Sequence, residues 1–223
     1  MKLQLPSVEL VCVDGRLHPN AVHEAVAAIR YSLKDADFAR TTFFSPLVDS
    51  LPKTIQGHRI KPIETVEDYS RFVLKELPFI IESEHCLVIQ WDGFVVDTSK
   101  WRNDFLDYDY IGAPWPPSWG QCRTNRVGNG GFSLRSRRLM RRIAELDTPD
   151  EIIRLEDNVI CLHHHKVITR EGYQYAPADI AAEFSWENPI PEIEPNQSFG
   201  FHGRHANNAE YLKLALDYAT QNI

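Results

Sequence analysis

The sequence predicts an α/β fold, a mixed, mostly parallel sheet flanked by helices within one domain. Three observations predict it. Short apolar runs of strand length alternate with stretches whose apolar residues recur at helical spacing. The 223 residues, 43 % of them hydrophobic, suffice for a full core without disulfide or metal staples. No internal repeat, low-complexity tract or clear linker divides the chain, so residues 1–223 are read as one unit.

Taken in order, residues 8–13 (VELVCV) are an apolar run closed by Asp14-Gly15 and read as a buried strand. Asn20 is placed to cap the helix that follows, where Ala21, Val22, Ala25, Val26, Ile29 and Leu33 share a face. Residues 41–47 form a second strand, and Arg59-Ile60 with Ile63 a third. Thr65 caps a helix over 66–77, with Asp68 at the reciprocal capping position, and Pro78 ends it. Residues 85–90 (HCLVIQ) are the next strand. Between 91 and 119 aromatics and prolines crowd together, which predicts loops over one end of the sheet. A strand resumes at 132–134. Helices over 137–146 and 150–168, short strands at 173–176 and 199–201 and a closing helix over 207–220 complete the chain.

The formal charge of −7 and a pI near 5.7 argue against a nucleic-acid binder. They leave room for a local basic patch from Arg135, Arg137, Arg138, Arg141 and Arg142. The four cysteines, Cys12, Cys86, Cys122 and Cys161, contain no CxxC and are read as free thiols, mostly buried, not zinc ligands. No stretch reads as a signal peptide or membrane span, so a cytoplasmic protein is expected.

Four places carry residues suited to chemistry. Asp92 follows the run Leu87-Val88-Ile89, and open α/β sheets bind ligands beyond the carboxyl ends of their strands. A carboxylate there can hold a divalent cation and through it a diphosphate; Asp92-Gly93 is equally a hairpin signal. The segment VGNGGFSLR at 127–135 runs a glycine turn into a strand. Gly130 and Gly131 allow close backbone approach to a ligand and Asn129 adds a polar handle, a mere tight turn being the alternative. The segment has neither GK[ST] nor GxGxxG, which disfavours P-loop ATPases and dinucleotide-binding dehydrogenases. Glu156-Asp157 offers a general base, or ordinary first-turn acids of a helix. His202, beside Gly203, reads as a core histidine or a metal ligand. His163-His164-His165 point in different directions along a helix and are read as solvated. Trp115 and Trp119 lie among prolines and offer faces to a sugar or a base, whereas Trp91 and Trp101 read as core.

The order of Asp92-Gly93, YDYIGAPW (108–115), VGNGGFSLRSR (127–137), Glu156-Asp157 and FGFHG (199–203) resembles a family of bacterial glycosyltransferase-like proteins of otherwise unknown function, over nearly the whole chain. That family in turn is similar to nucleotide-sugar glycosyltransferases of the GT-A fold. The resemblance implies a Rossmann-like GT-A domain with a nucleotide-binding half over about 1–100 and an acceptor half over about 101–223. It implies transfer of a sugar from a nucleoside diphosphate sugar to a hydroxyl of a glycan or lipid-linked acceptor, in surface polysaccharide or glycoconjugate synthesis. Asp157 first, then Glu156, would be catalytic. Asp92, Gly93, Asn129, Gly130, Gly131 and Asp14 would hold the donor, and Trp115 and Trp119 the acceptor. Asp92 and His202 would hold a divalent cation, Mn or Mg. Asp92 matches the last residue of the family's Asp-x-Asp motif, but Gln90 stands at the first, which puts the metal in question. The acidic pair resembles that of inverting members and His202-Gly203 that of retaining ones, so the stereochemistry stays open. A lipid-linked acceptor would bring the protein to the inner face of the membrane. The alternatives are a non-catalytic glycan- or nucleotide-sugar-binding protein of the same fold, and a sugar nucleotidyltransferase.

Overall fold

Strand β1 (Leu3–Val13) runs through the middle of the sheet, buried on both faces from Val8 onward. The computed structural model describes residues 1–120, 125–194, 197–205 and 208–221. Around β1 lie β2 (Ala36–Ser45), β3 (Gln56–Arg59), β4 (His85–Ile89), β5 (Tyr110–Gly112) and β6 (Ser133–Ser136), giving a six-stranded sheet in the order β3-β2-β1-β4-β6-β5. The first four are mutually parallel; β6 runs antiparallel to both β4 and β5. Side chains alternate across the sheet. Leu10, Cys12, Leu87 and Ile89 enter the larger core, and Val11, Val13, Cys86 and Val88 the smaller one on the opposite face. A strand covered on both faces reads as a near-continuous apolar run, as VELVCV and HCLVI do apart from Glu9, which accepts from Thr42 Oγ1, and His85.

Helix α1 (Pro19–Ser32) packs against the closing helix α8 (Ala209–Gln221). The cap of α1 is His18, whose Nδ1 accepts from the Ala21 amide, and not Asn20. Pro19 occupies the first helical position, where its fixed φ and missing N–H favour a start two residues earlier than expected. The expected capping box is present on α2 (Val66–Arg71), with Thr65 and Asp68 bonded reciprocally. That helix does not stop before Pro78. A π-helical turn over Phe72–Glu76 leads into α3 (Leu77–Ile80), and Pro78 sits in its first turn, where no N–H is required.

Helix α4 (Arg137–Glu145) follows β6 directly. The expected helix over 150–168 is broken. A 3-10 turn at Asp150–Ile152 is followed by α5 (Glu156–Asn158), a π-helical turn at Val159–His163 and α6 (His165–Arg170). Ile153 is buried and Ser70 Oγ donates to the Arg154 carbonyl at 2.9 Å, which draws 153–155 out of helical geometry. The expected strand at 173–176 makes a single bridge, Tyr175 to Tyr110. Beyond α7 (Ala178–Phe184), β7 (Ser185–Trp186) and β8 (Gly200–Phe201) form a small parallel pair.

Strand reversal sets the geometry of the carboxyl edge. Val88 pairs with Ser133, and Ser133 with Gly112, so the residues leading into β6 arrive where β4 ends. The glycine turn at 128–131 is thus brought beside Gln90. Its packing is tight: a Cβ on Gly128 would lie 1.9 Å from the Trp115 ring, and one on Gly112 would lie 2.1 Å from the Gly128 carbonyl oxygen. Backbone cannot yield as a flexible side chain can, so Gly112→Ala should destabilise the protein by about 1–3 kcal/mol. Urea unfolding measures this, and an unchanged midpoint would mean that the loop does not pack on β5.

Candidate active site

A cleft of about 590 Å³ opens at the carboxyl edge of the sheet. One wall is the glycine turn. Asn129 is in the left-handed region, φ 59°, where asparagine is among the better-tolerated residues. Its Oδ1 accepts from the Gly131 amide at 3.0 Å, which fixes the orientation of the side-chain amide. The glycines are required by protein neighbours on both sides. A Cβ on Gly130 would lie 1.7 Å from Glu156 Oε1, and one on Gly131 would lie 2.0 Å from His202 Nε2.

Beneath this turn, Ser133 and Arg135 share one face of β6 at the two-residue spacing of a strand. Arg135 is fully buried. Its Nη2 donates to Glu156 Oε1 at 2.8 Å and to the Gly130 carbonyl at 3.2 Å, and its Nε to Ser133 Oγ at 2.9 Å. Burial works against the guanidinium charge, but Tyr110 and Glu156 outweigh it and hold Arg135 above the ordinary arginine value. Glu156 is therefore anchored to a cation. Asp157, next along α5, has no such partner. Burial first, and the charge of Glu156 second, push its carboxyl up to about 7, against the Asn158 amide and Arg135, which pull it down.

The adjoining wall is built on His202. Its Nδ1 lies 2.9 Å from Glu187 Oε1 and its Nε2 3.1 Å from Gln90 Oε1, with Asp92 Oδ1 3.8 Å away. The His202 amide donates to the Trp186 carbonyl and the Gly203 amide to the Asp92 carbonyl, so β7 and the turn after β4 clamp the ring. Burial would lower the imidazole pKa. The hydrogen bond to Glu187 and the charges of Glu187, Asp92 and Glu156 outweigh it and raise the value above the ordinary one. Asp92 Oδ1 is buried and has no hydrogen-bond partner. That orphaned oxygen, the His202 Nε2 and the Gln90 Oε1 are of the kinds a divalent cation takes, but Nε2 and Oε1 bond each other at 3.1 Å and would have to part for an ion to bind. Among the described residues no three or more His, Cys, Asp or Glu side chains are arranged to hold an ion by themselves.

The cleft wall thus brings together Asn129, Gly130, Gly131, Glu156, Asp157 and His202. Asp92 and Gly93 stand behind His202, outside the lining; a Cβ on Gly93 would meet the ring at 2.8 Å. Asp14 is also outside the lining, and its carboxylate grips the Arg16 guanidinium at 2.7 Å. Arg16 itself reaches the cleft, with its Cζ 4.9 Å from the Trp91 ring centroid. Trp115 is buried at 4 % exposure, its indole packed on Gly128 at the base of the cleft, so it offers no open face for stacking. Trp119 is 40 % exposed and stands at the cleft with Val66 and Leu155, also exposed.

Two other expectations change, and that of buried free cysteines holds for those described. The arginines after β6 form no free patch. Arg135 pairs with Glu156, Arg138 with Asp109 and Arg142 with Glu171, while Arg137 and Arg141 donate to the Glu82 and Pro78 carbonyls. The three histidines are not all solvated, because His164 is buried with its Nε2 2.8 Å from Thr148 Oγ1. Cys12, Cys86 and Cys161 are buried free thiols, and Cys122 lies outside the described residues. No described helix is long and apolar enough to cross a membrane. Sequence reasoning missed Arg16, Tyr69, Arg135 as an ion-pair partner, and Glu187. For Arg135 alone there was a signal, a charge on the same strand face as Ser133 inside a buried run.

The solved galactosyltransferase LgtC, in complex with donor and acceptor sugar analogs, shares the fold with a TM-score of 0.51 at 11 % identity, over 96 % of this chain and 95 % of that one. An active-site mutant of LgtC matches with a TM-score of 0.49 at 13 % identity, over 94 % and 95 %. The architecture is accordingly the GT-A-like one, a mixed and mostly parallel sheet flanked by helices. No curated protein matches the chain. Residues 54–202 match the model of a family described as "Protein of unknown function (DUF5672)", and the protein belongs to that family.

Proposed function

We propose that the protein is a glycosyltransferase that moves a sugar from a nucleoside diphosphate sugar to a hydroxyl of an acceptor. The observation that carries this reading is convergence: a carboxylate with a pKa near 7, a glycine turn and a clamped histidine line one cleft at the carboxyl edge of a GT-A-like sheet. In this reading Asp157 takes the proton of the acceptor hydroxyl. The acceptor oxygen bonds to the anomeric carbon as that carbon's bond to the distal phosphate oxygen breaks, and the nucleoside diphosphate leaves. Glu156 is held by Arg135 and keeps Asp157 basic through its charge. Arg16 is a cationic side chain of the cleft lining that can face the departing charge.

Four carboxylates, those of Glu64, Glu156, Asp157 and Glu187, line the cleft. A diphosphate entering beside them meets net negative charge. A divalent cation held by Asp92 and His202, with Gln90 as a neutral oxygen donor, would supply the Lewis-acid stabilisation of the leaving group. At the mouth, Val66, Trp119 and Leu155 form an apolar rim suited to the apolar part of a lipid-linked acceptor.

A screen of nucleotide sugars by thermal shift, with and without Mn²⁺, tests the class, because a ligand that binds the folded state raises its melting temperature. The shift should be larger with Mn²⁺, and Asp92→Ala should remove the metal-dependent part. Equal donor affinity with and without metal would take the cation out of the account. Asp157→Asn should lower kcat/KM by about 10²–10⁴-fold, and wild-type kcat/KM should climb with pH to a plateau above about 7. Full turnover in Asp157→Asn would remove it as the base.

The same shift sets the sign of a stability effect. The folded-state pKa of about 7 is above the unfolded value, so the folded state binds the proton more tightly. Stability is therefore lost as pH rises from about 4 to about 7. Asp157→Asn should be more stable than wild type by about 1–3 kcal/mol at pH 8, with the gap closing toward pH 4. Urea denaturation at both pH values measures it, and a gap that does not depend on pH would show that Asp157 titrates normally.

A further inference from the structure

Tyr69 stands on α2 and lines the cleft. Its hydroxyl is closed off from solvent and faces Gln90 without completing a hydrogen bond. On the glycine turn, Asn129 is 3 % exposed, and its Nδ2 is buried with no partner, while its Oδ1 is occupied by the Gly131 amide. A buried polar group left unpaired destabilises a protein, and the same shape without that group is neutral or better. Phenylalanine would fill the space of Tyr69 without an orphaned hydroxyl. For folding alone, the hydroxyl gains little, since the side-chain oxygen of Gln90, the residue it faces, is already bonded to His202.

The neighbouring chemistry selects what satisfies both groups. Asn129 Nδ2 can only donate, so its partner must accept. The carboxylates of Glu156, Asp157 and Glu187 line the same cleft and accept hydrogen bonds, so the partner must also donate. An ionised phosphate accepts only, and it carries the charge those carboxylates repel. Hydroxyl groups on a sugar ring both accept and donate, without charge. We propose that Tyr69 Oη, together with Asn129 Nδ2, reads hydroxyl groups of the transferred sugar and not the diphosphate. Tyr69 then makes the cleft prefer a nucleoside diphosphate hexose over the bare nucleoside diphosphate. This rests on the glycosyl-transfer reading above. A site built to hydrogen-bond a hydroxyl discriminates strongly against an analogue that lacks it, because the site's own polar groups are then left unpaired.

The experiment is calorimetry of wild type and Tyr69→Phe in Mn²⁺, with UDP-, GDP- and ADP-hexoses and the matching nucleoside diphosphates, beside melting temperatures of both proteins. Tyr69→Phe should bind the preferred nucleotide hexose about tenfold more weakly. It should bind the bare nucleotide as wild type does and melt at the same temperature or higher. The donor deoxygenated at the hydroxyl that is read should bind both proteins alike. An undiminished preference for the hexose, an equal loss for hexose donor and bare nucleotide, or a lowered melting temperature would each overturn the role of Tyr69 while leaving the glycosyl-transfer reading in place. Failure of every nucleotide hexose to bind the wild type would overturn both.

Discussion

The buried ion pair between Arg135 and Glu156 is the constraint on which the cleft depends. Both partners are nearly inaccessible and lie 2.8 Å apart. Removing one partner of such a pair leaves an uncompensated buried charge, at a cost of about 3–5 kcal/mol. The pair joins β6 to α5 across 21 positions, and the Gly130 carbonyl accepts from the same guanidinium. Position 130 must then be glycine, since a Cβ there would overlap the Glu156 carboxylate. Asp157 inherits its environment from this arrangement. It is held next to a fixed negative charge, in a half-buried position, with the compensating cation already engaged by its neighbour.

The adjoining wall follows a different logic. His202 is held by Glu187 on one ring nitrogen and faces Gln90 and Asp92 with the other. With an acid at position 90 the ring would meet three carboxylates. Glutamine keeps the oxygen and removes one negative charge, which weakens the pull on any cation. A nitrogen and two oxygens remain, only one of them charged. Such a set binds a divalent ion weakly by itself and more strongly when phosphate oxygens share it. Metal and donor would then depend on each other for binding.

What the sequence disclosed depended on how local the cause was. Strands β1 and β4 were legible because both their faces are buried and, Glu9 and His85 apart, residues 8–13 and 85–89 are all apolar. The Thr65 capping box was legible because its partners are three residues apart. The break at 153–155 was not, because it follows from Ser70 reaching the Arg154 carbonyl across 84 positions. Trp115 misled because a tryptophan among prolines looks the same whether it faces a ligand or a glycine. Glu187 and Tyr69 gave no signal at all. Each is a single polar residue in an ordinary segment, and it acquires meaning only when the fold sets it opposite His202 or Asn129. The glycine turn was recognised as a place of close approach, but half of that approach is to the protein itself.

Three consecutive residues bear on where chemistry would occur. Leu155 is 46 % exposed at the apolar rim, Glu156 is 5 % exposed at the polar floor, and Asp157 lies between these extremes. Leu155 is still extended and Glu156 opens α5, so the chain turns from rim to floor within a single step. Under the proposed glycosyl transfer, a donor seated on the polar floor, against Asn129 and His202, would meet an acceptor arriving over Leu155, Val66 and Trp119. The two paths would cross at the boundary, where Asp157 stands. Moved to the floor, Asp157 would lie beside the leaving diphosphate and repel it. Moved to the rim, it would lose the burial that raises its pKa and would no longer be a competent base near neutral pH.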